Sequence, residues 1–309
     1  MIARWQRWAV LLGLAGLLAG VGGLWQTGHP ALAGGLLVLA LVMHAFWLGV
    51  TTLLMRAVQA RAGQPLPPWR ESVRAWWAEC RAAPRVFAWR QPFRSQAQPD
   101  VWPAEVPGRP GVLLVHGYLC NRAVWNPWLQ RCRQLGIPAL ALTLEPPGVD
   151  LDRHVPALAA AVQTLWERTG QPPLLVGHSM GGLLLRAWLR ADAGRTPCRG
   201  LVTVGTPHLG TWLAHWGLSP SARQMRPGSN WLRALAADEA ARASGLPPVL
   251  SLYSPCDSIV FPTRLAVWPG GEALAVAQAG HVNLLEQPAV FEAVRQRLQQ
   301  GGAAEGGDV

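Results

Sequence analysis

Ser179 stands in a pentapeptide that could prepare a hydroxyl group for nucleophilic attack. Residues Gly177 to Gly181 read GHSMG, directly after the apolar run Leu174 to Val176 and before a helix-like stretch. Glycines on both sides of a serine, between a strand and a helix, permit a tight, strained turn that lifts the hydroxyl out of a sheet. The pattern predicts a serine nucleophile at position 179.

A serine hydroxyl is a weak nucleophile until a base accepts its proton, and His281 is the best-placed base. When the nucleophile lies on such a turn, the chain order is serine, acid, histidine. His208 and His215 precede any plausible acid loop, whereas His281 follows the last strand candidate and precedes the closing helix. We therefore predict that His281 is the base.

The acid that orients this histidine is predicted to be Asp257, in the loop after the apolar run 249–253. Asp192 and Asp238 fall in helix-like stretches. Glu272 is the main rival, because the Pro-Gly-Gly before it could shape a loop, but it precedes its strand. The alternative interpretation of Asp257 is a surface aspartate in a turn.

Two backbone N–H groups must stabilise the negative charge that develops on an attacked carbonyl oxygen. We expect one from Met180, directly after the nucleophile, and the other from Tyr118, in the loop after the strand candidate 111–115. Gly117 would allow the backbone to approach closely. His116 is interpreted as structural, hydrogen-bonding beneath this loop.

The elements that must position these residues alternate along residues 84–300. Short apolar runs predict strands at 111–115, 139–144, 173–176, 201–204, 249–253 and, more weakly, 273–277, with an edge strand at 86–93. Helix-like stretches occupy 122–135, 153–169, 180–191 and 288–299. This alternation predicts an α/β domain with a mostly parallel sheet, helices on both faces and a site at the carboxyl ends of the strands.

The alternation stops between residues 211 and 247, where we predict a short cap. The segment is apolar, and Trp212, Trp216 and Trp231 are its candidate substrate contacts. An apolar cap favours an acyl chain as substrate. The alternative is a cap that only covers the core.

The first 60 residues are predicted to form a two-helix transmembrane hairpin. No charged residue occurs from Trp8 to Met55, which is enough for two passes, at about 8–25 and 31–55, separated by a polar, proline-containing turn. Arginines precede the first helix and follow the second, so the positive-inside rule places both ends, and the catalytic domain, in the cytoplasm.

Two alternatives to the hairpin stay open. A basic start, an apolar run and the Ala-Leu-Ala at 31–33 imitate a cleaved signal peptide, and a single uncleaved anchor would leave the enzyme facing the periplasm. Residues 61–83 form an amphipathic segment of tryptophan and arginine, which could lie in the membrane interface or pack on the catalytic domain. Residues 301–309 are expected to be a flexible tail.

The charge balance and the cysteine spacing limit which partners and metal sites the sequence predicts. All 27 basic residues are arginine, against 17 acidic residues, giving a net charge of +10. The arginines are scattered rather than gathered in a nucleic-acid motif, so we expect a membrane surface and no nucleic acid. Five widely spaced cysteines without metal-ligand spacing indicate free thiols, no metal site and, weakly, a reducing compartment.

Together, the His-Gly-Tyr turn at 116–118, the GHSMGG motif from 177, the Gly-Thr-Pro-His-Leu-Gly run at 205–210, Asp257 and Gly280-His281 resemble bacterial lipases and esterases of the α/β-hydrolase superfamily, which also includes inositol-deacylase-like proteins. The resemblance covers about residues 84–300. It implies an α/β-hydrolase fold that cleaves carboxylic esters through an acyl-enzyme, without a cofactor. The bacterial inner membrane is predicted from the hairpin, to which the resemblance does not extend. Acyl transfer by the same residues and a catalytically silent membrane scaffold are the alternative functions.

Overall fold

The computed structural model of this chain describes residues 1–104, 107–192, 195–242 and 245–300, so the predicted tail at 301–309 lies outside the described residues. It begins with two long helices, α1 (Ile2–Gln26) and α2 (Pro30–Arg61). A third helix, α3 (Trp69–Pro84), continues through a π-helical segment, Arg85–Arg90, into the short α4 (Gln91–Phe93). These helices precede the sheet.

Within the described residues, six parallel strands form one sheet. They are β1 (Val112–Val115), β2 (Ala139–Ala141), β3 (Leu174–His178), β4 (Gly200–Val204), β5 (Val249–Tyr253) and β6 (Glu272–Ala275). Their spatial order is β2-β1-β3-β4-β5-β6, and every neighbouring pair is parallel. The predicted α/β class and parallel sheet are confirmed, and β3, which leads to Ser179, lies in the interior of the sheet.

The remaining helices lie between these strands, except the last, which follows β6. They are α5 (Asn126–Leu135), α6 (Val155–Thr169), α7 (Met180–Asp192), α8 (Pro220–Gln224), α9 (Asn230–Ala241) and α10 (Pro288–Gln300). Several 3₁₀ turns complete the connections, among them Leu151–His154, Trp212–Trp216 and Asn283–Glu286. Helices α5 and α6 both end at a glycine in the left-handed conformation, the usual helix C-terminal signal.

Alternation along β1 divides the core into two layers. Val112 and Leu114 face the layer that contains the apolar sides of α5 and α10, whereas Leu113 and Val115 face the layer of α6 and α7. All four side chains are almost fully buried. Because successive strand residues point to opposite faces, a run of apolar residues is what a strand covered on both faces requires.

The apolar parts of α1 and α2 project away from this core. Both helices are long and apolar enough to cross a membrane, and 0% and 6% of their most apolar windows are buried inside the protein. A core helix of a soluble domain would bury its apolar side chains. Protein contacts therefore leave these surfaces uncovered along most of their length.

The predicted edge strand at 86–93 is wrong, because these residues continue α3 as a π-helical segment and α4. Pro84, where the sequence pattern changes, lies within the helix and does not end it. Tertiary bonds hold the continuation: Arg85 and Arg90 both pair with Glu286, and the buried Gln91 accepts the N–H of Asn121 at 2.9 Å. The wider π-helical pattern follows the proline, which lacks an N–H donor.

The amphipathic segment packs on the catalytic domain along one side of α3. The buried residues recur at helical spacing and are Ser72, Ala75, Glu79, Ala82 and Ala83. The opposite side exposes Trp69, Val73 and Trp77, each more than half exposed. Of the two predicted placements, packing on the domain is therefore observed, and it uses only one side of the helix.

Candidate active site

Ser179 occupies a strained turn between β3 and α7. Its φ is +53°, a left-handed conformation that is uncommon for any residue other than glycine. The turn is tied to the neighbouring strand, because the Ser179 N–H donates to the Val204 carbonyl at 2.8 Å. This strand, turn and helix form the elbow that the GHSMG motif predicts.

The glycines of the motif are required by close approaches of backbone. A Cβ on Gly177 would lie 2.5 Å from the backbone nitrogen of Gly182. A Cβ on Gly181 would collide with the Val115 carbonyl oxygen, and one on Gly182 with the Thr206 side chain. A side chain at any of these positions would push the elbow out of the sheet.

Asp257 and His281 form a buried pair. Asp257 Oδ2 lies 2.7 Å from His281 Nδ1. The other oxygen, Oδ1, accepts the N–H groups of Ile259 at 2.8 Å and Val260 at 2.9 Å. Both oxygens are thereby fixed, and the carboxylate can hold the imidazole with Nδ1 protonated and Nε2 free to accept a proton.

Gly205 connects this pair to the elbow. It directly follows Val204, whose carbonyl holds Ser179, and its φ is +56°. A Cβ at this position would lie 3.3 Å from both Asp257 Oδ2 and His281 Nδ1. The end of β4 therefore touches the elbow on one side and the Asp257–His281 pair on the other.

The rival residues of the sequence analysis lie elsewhere. His208 is fully buried and its Nε2 bonds Thr203 Oγ1 at 2.9 Å, while His215 Nδ1 bonds the carbonyl of Trp212. Glu272 is on the exposed β6 and pairs with Arg297 at 2.6 Å. The structure brings His281 and Asp257 together and none of these three rivals to them.

The charges around His281 act in opposite directions on its pKa. Burial lowers the pKa of the imidazole, but the Asp257 carboxylate, and more weakly that of Glu79, raise it by more, so the net pKa lies above its ordinary value. The neighbouring His178, with its ring centroid 4.8 Å away, has a pKa well below the ordinary value because it is buried. His178 is thus neutral beside a histidine that can gain charge.

The loop after β1 lies against the nucleophile. A Cβ on Gly117 would be 2.8 Å from Ser179 Cβ, so the backbone at 117–118 approaches the elbow as closely as a glycine permits. Among the described residues, no backbone acceptor engages the Tyr118 N–H. Met180 opens α7, where the first N–H groups have no partner within the helix. Met180 directly follows Ser179 in the chain, and Tyr118 directly follows the glycine that packs against it.

His116 supports this loop from beneath. Its Nδ1 donates to the Gly117 carbonyl at 2.8 Å, and its Nε2 accepts the Leu144 N–H at 2.9 Å. Burial lowers the pKa of His116 to about 4, so the ring is neutral and can make both bonds. These contacts match the structural role expected for it.

The cap brings together two of its three candidate tryptophans. The rings of Trp212 and Trp216 meet edge to face with centroids 4.7 Å apart. The backbone N–H of Trp212 donates to the Phe261 carbonyl in the loop that follows Asp257. Trp231 instead donates its indole N–H to Asp152 at 2.9 Å, beside α7. Trp212 and Trp216 adjoin the acid loop, and Trp231 belongs to another surface.

Two polar residues at the site escaped the sequence reasoning. Glu79, on α3, accepts the N–H groups of Val282 and Asn283, each at 2.9 Å, directly after His281. Gln59, on α2, accepts the Thr263 N–H at 2.8 Å in the acid loop. Neither carries a local signal, because each is a single polar residue in a helix and only the packed fold shows its partner.

A cleft of about 490 Å³ lies away from this site. Arg186, Glu239 and Trp268 line it together with the residues that begin β5 and β6. In a parallel sheet these strand starts form the edge opposite the carboxyl ends. This cleft therefore lies at the edge of the sheet opposite Ser179, Asp257 and His281.

Comparisons with known proteins agree on the fold. Residues 110–224 match the α/β-hydrolase fold family. The mature lipase BlEst2 of Bacillus licheniformis superposes with a TM-score of 0.53 at 17% identity, over 65% of this chain and 95% of that chain. Lipase B of Aspergillus fumigatus superposes with a TM-score of 0.52 at 17% identity. The match covers 64% of this chain and 55% of the Aspergillus lipase. No curated protein matches the sequence.

The propeptide form of the same Bacillus licheniformis lipase superposes with a TM-score of 0.56 at 18% identity, over 64% of this chain and 52% of that one. This chain thus spans about half the length of that form and of the Aspergillus lipase. The sheet order, the elbow between β3 and α7 and these similarities define an α/β-hydrolase fold, to which the helices α1 and α2 are added.

Proposed function

We propose that this chain is a membrane-anchored serine esterase that cleaves carboxylic esters of lipid-like or small apolar substrates. The observation that carries the proposal is the buried Asp257–His281 pair, joined through Gly205 to a serine in a strained elbow. A strained backbone at a residue of this kind is retained where the chemistry uses it. The lipase names of the structural neighbours support the same reaction class.

In the first half of the reaction, His281 Nε2 accepts the proton of the Ser179 hydroxyl while Oγ attacks the ester carbonyl carbon. The carbonyl oxygen gains the negative charge and is stabilised by the N–H groups of Tyr118 and Met180. Collapse of this intermediate breaks the bond to the alcohol. His281 gives its proton to the alcohol oxygen as the alcohol departs. The acyl group then remains bound to Ser179 Oγ.

In the second half, water takes the place of the alcohol. His281 removes a proton from the water as it attacks the acyl carbonyl, and then protonates Ser179 Oγ as the carboxylic acid leaves. Asp257 keeps Nδ1–H oriented and stabilises the imidazolium in both halves. In the part of the chain that the structure describes, the Ser179 side chain makes no hydrogen bond; catalytic hydrogen bonds of this kind often tighten only with substrate bound.

The substrate class follows from the cap and the hairpin. The tryptophan pair of the cap offers apolar surface beside the acid loop. The uncovered apolar lengths of α1 and α2 support a transmembrane hairpin in a bacterial inner membrane, and the arginines at both ends support a cytoplasmic catalytic domain. Free cysteines agree with a reducing compartment.

Labelling with a fluorophosphonate tests the proposed nucleophile. The wild-type protein is expected to react, and Ser179→Ala is expected neither to react nor to hydrolyse p-nitrophenyl esters of increasing chain length above a trace. Retained turnover in pure Ser179→Ala protein with a native fold would refute the assignment. Product analysis with added alcohol separates hydrolysis from acyl transfer.

Reporter fusions at the carboxyl end test the topology. Green fluorescent protein exported by the general secretory route stays dark, whereas alkaline phosphatase is active only outside the cytoplasm. We expect bright fluorescence and no phosphatase activity. The opposite pattern would place the catalytic domain in the periplasm and would mean that one apolar segment is cleaved or does not span.

A further inference from the structure

The start of α1 and the last turns of α2 contact the loops that carry the candidate active site. On α1, Gln6 Nε2 donates to the Leu119 carbonyl at 2.9 Å, in the loop of Gly117 and Tyr118, and the Ile2 N–H donates to Glu145 at 2.8 Å in the loop after β2. These loops both lie at the carboxyl edge of the sheet. The start of α1 is therefore held on one side of the nucleophile strand.

Helix α2 is held on the other side. Gln59 accepts the Thr263 N–H at 2.8 Å, and Thr51 Oγ1 lies 3.4 Å from Ser258 Oγ, next to Asp257. Both partners belong to the loop after β5. Because the sheet order places β3 between β1 and β5, the two helices bracket the catalytic edge.

The positions of these contacts along α1 and α2 indicate where the catalytic loops lie relative to the apolar segment. Gln6 lies two residues before the charge-free segment that starts at Trp8, and Thr51 lies within that segment, which ends at Met55. At 1.5 Å rise per residue, these offsets amount to only about one helical turn. The catalytic loops thus sit at the level where the apolar surface of the hairpin begins.

Exposed apolar side chains surround this edge. Leu119 is 48% exposed, Trp216 61% and Leu218 81%. Leu218 precedes Ser219, whose Oγ lies 3.0 Å from the Tyr118 hydroxyl, so the cap and the loop beside Ser179 meet here. We name Leu119, Trp216 and Leu218 the catalytic rim.

We propose that the catalytic rim faces the bilayer that holds the hairpin, so that Ser179 receives esters whose acyl chains remain in the lipid. This inference rests on the proposed transmembrane insertion of α1 and α2. The ester carbonyl of a bilayer lipid lies at the boundary between hydrocarbon and head groups, which is the depth assigned to the catalytic loops. Tryptophan and arginine near this level suit that boundary.

A depth measurement tests this orientation. Cys80 and Cys198, the two cysteines that are not fully buried, are replaced by alanine, and a fluorophore is attached through Leu218→Cys or, as control, Leu135→Cys. Leu135 is 54% exposed at the end of α5, shortly before β2 begins, and so lies at the opposite edge. The labelled protein is reconstituted in phosphatidylcholine and phosphatidylglycerol vesicles that contain nitroxide lipids.

We expect the label at 218 to be quenched at least about twofold more than the label at 135. Equal quenching, or stronger quenching at 135, would overturn the orientation. Flotation of the protein with vesicles after a carbonate wash reports insertion, and fluorophosphonate labelling reports the nucleophile. A protein that floats and reacts but shows equal quenching refutes only this inference, whereas one that does not float refutes the anchor.

A second, independent observation concerns Glu79. Its carboxylate is buried on α3, and its two oxygens separately accept the N–H groups of Val282 and Asn283 at 2.9 Å. A Cβ on Gly280 would lie 2.5 Å from Glu79 Oε2, so the backbone on both sides of His281 packs on this carboxylate. Asn283 begins the 3₁₀ turn that carries the loop back to α10.

The structure assigns Glu79 as a positioning residue that fixes the loop of His281. Burial raises the pKa of the Glu79 carboxyl, whereas its two backbone N–H donors and His281 favour the ionised form, which places negative charge beside the imidazole. The titratable groups that face the imidazole are Asp257, Glu79 and His178. Asp257 bonds the ring itself, whereas Glu79 bonds only the backbone that follows it. Glu79 therefore acts through His281 and does not touch the reacting atoms.

The pH profile of Glu79→Gln tests this role. Glutamine removes the charge and presents an N–H group to one of the two backbone donors, so we expect kcat/KM to fall by about tenfold to a hundredfold. The midpoint of the acid limb of kcat/KM should also move to lower pH. Glu71→Gln, in the first turn of the same helix, is the matched control and should change neither quantity.

A folded Glu79→Gln protein with the wild-type midpoint would exclude the electrostatic part of the role, and unchanged kcat/KM would exclude the positioning part. If thermal unfolding shows that this variant does not fold, Glu79→Asp replaces it. Aspartate keeps the charge but withdraws it by one methylene group, so a lower kcat with a midpoint near that of wild type is expected. Wild-type kcat in that variant would overturn the assignment.

Discussion

Asp257 Oδ2 lies 2.7 Å from His281 Nδ1, while Asp257 Oδ1 accepts two backbone N–H groups of its own loop. The two oxygens therefore have separate tasks. One orients the imidazole, and the other ties the carboxylate to the turn that follows β5. Rotation of the carboxylate would break three bonds at once, which keeps a single arrangement of the pair.

Asp257→Asn is expected to lower kcat by about 10⁴-fold, the loss seen when the corresponding aspartate of a serine protease becomes asparagine. The amide can present an N–H group to Nδ1 and so select the wrong tautomer. Ester hydrolysis with the purified protein measures the effect. Glu272→Gln, which removes only the exposed partner of Arg297, is the control and should retain full activity. The reverse result would transfer the acid role to Glu272.

The raised pKa of His281 predicts the pH dependence of activity. An imidazolium cannot accept the serine proton, so kcat/KM should rise with pH through a midpoint above the ordinary value of 6.5. The same raised pKa makes folding stability fall as the pH rises, in the opposite direction to activity. Its stabilising contribution is fully present below the unfolded pKa and is lost as the pH rises through the folded pKa. A midpoint clearly below 6.5 would contradict the assigned charge environment.

Gly205→Ala is expected to lower activity by more than about tenfold, because the methyl group would meet Asp257 and His281 at 3.3 Å in a left-handed backbone. Gly170→Ala is the matched control. Gly170 has a similar φ of +66°, but a Cβ there meets nothing within 4 Å. Both variants should lose about 1 kcal/mol of stability from the backbone strain, and only Gly205→Ala should lose activity. Equal activity losses would point to a general folding defect.

Ser179→Gly is expected to abolish hydrolysis and to leave stability unchanged or raise it by up to about 1 kcal/mol. Glycine relieves the left-handed strain at φ +53° but increases the entropy of the unfolded chain. Ser179→Ala removes the hydroxyl and keeps the strain, so it should be the less stable of the two. Chemical denaturation of both variants measures the difference. A Gly variant less stable than the Ala variant would show that the turn is not strained.

The sequence predicts the strands better than the contacts around the site. The apolar runs at 111–115, 173–176 and 249–253 each coincide with a strand, because a strand buried on both faces has a local signature. Chain order and the ends of the strand candidates predicted His281 and Asp257 as partners, and the two side chains bond each other. Glu79 and Gln59 could not be found this way, because their partners lie about 200 residues away in the chain.

The error at 86–93 has the same origin. Val86 to Phe93 alternates like a strand, and Pro84 is a common helix stop, so local rules favour an extended segment. The observed helical path is held by Glu286 and Asn121, which no local pattern includes. Tertiary hydrogen bonds outweigh local preference at this point of the chain.

Gln6 and Gln59 bond the loops on either side of Ser179, so α1 and α2 contribute contacts to the candidate site as well as apolar surface. A soluble fragment that starts after Arg61 would lose the acceptor for the Thr263 N–H and the donor to the Leu119 carbonyl, on both sides of the nucleophile. We therefore expect the proposed esterase activity to require the intact amino-terminal helices. A cut near residue 62 is therefore expected to abolish the proposed esterase activity rather than to release an active domain.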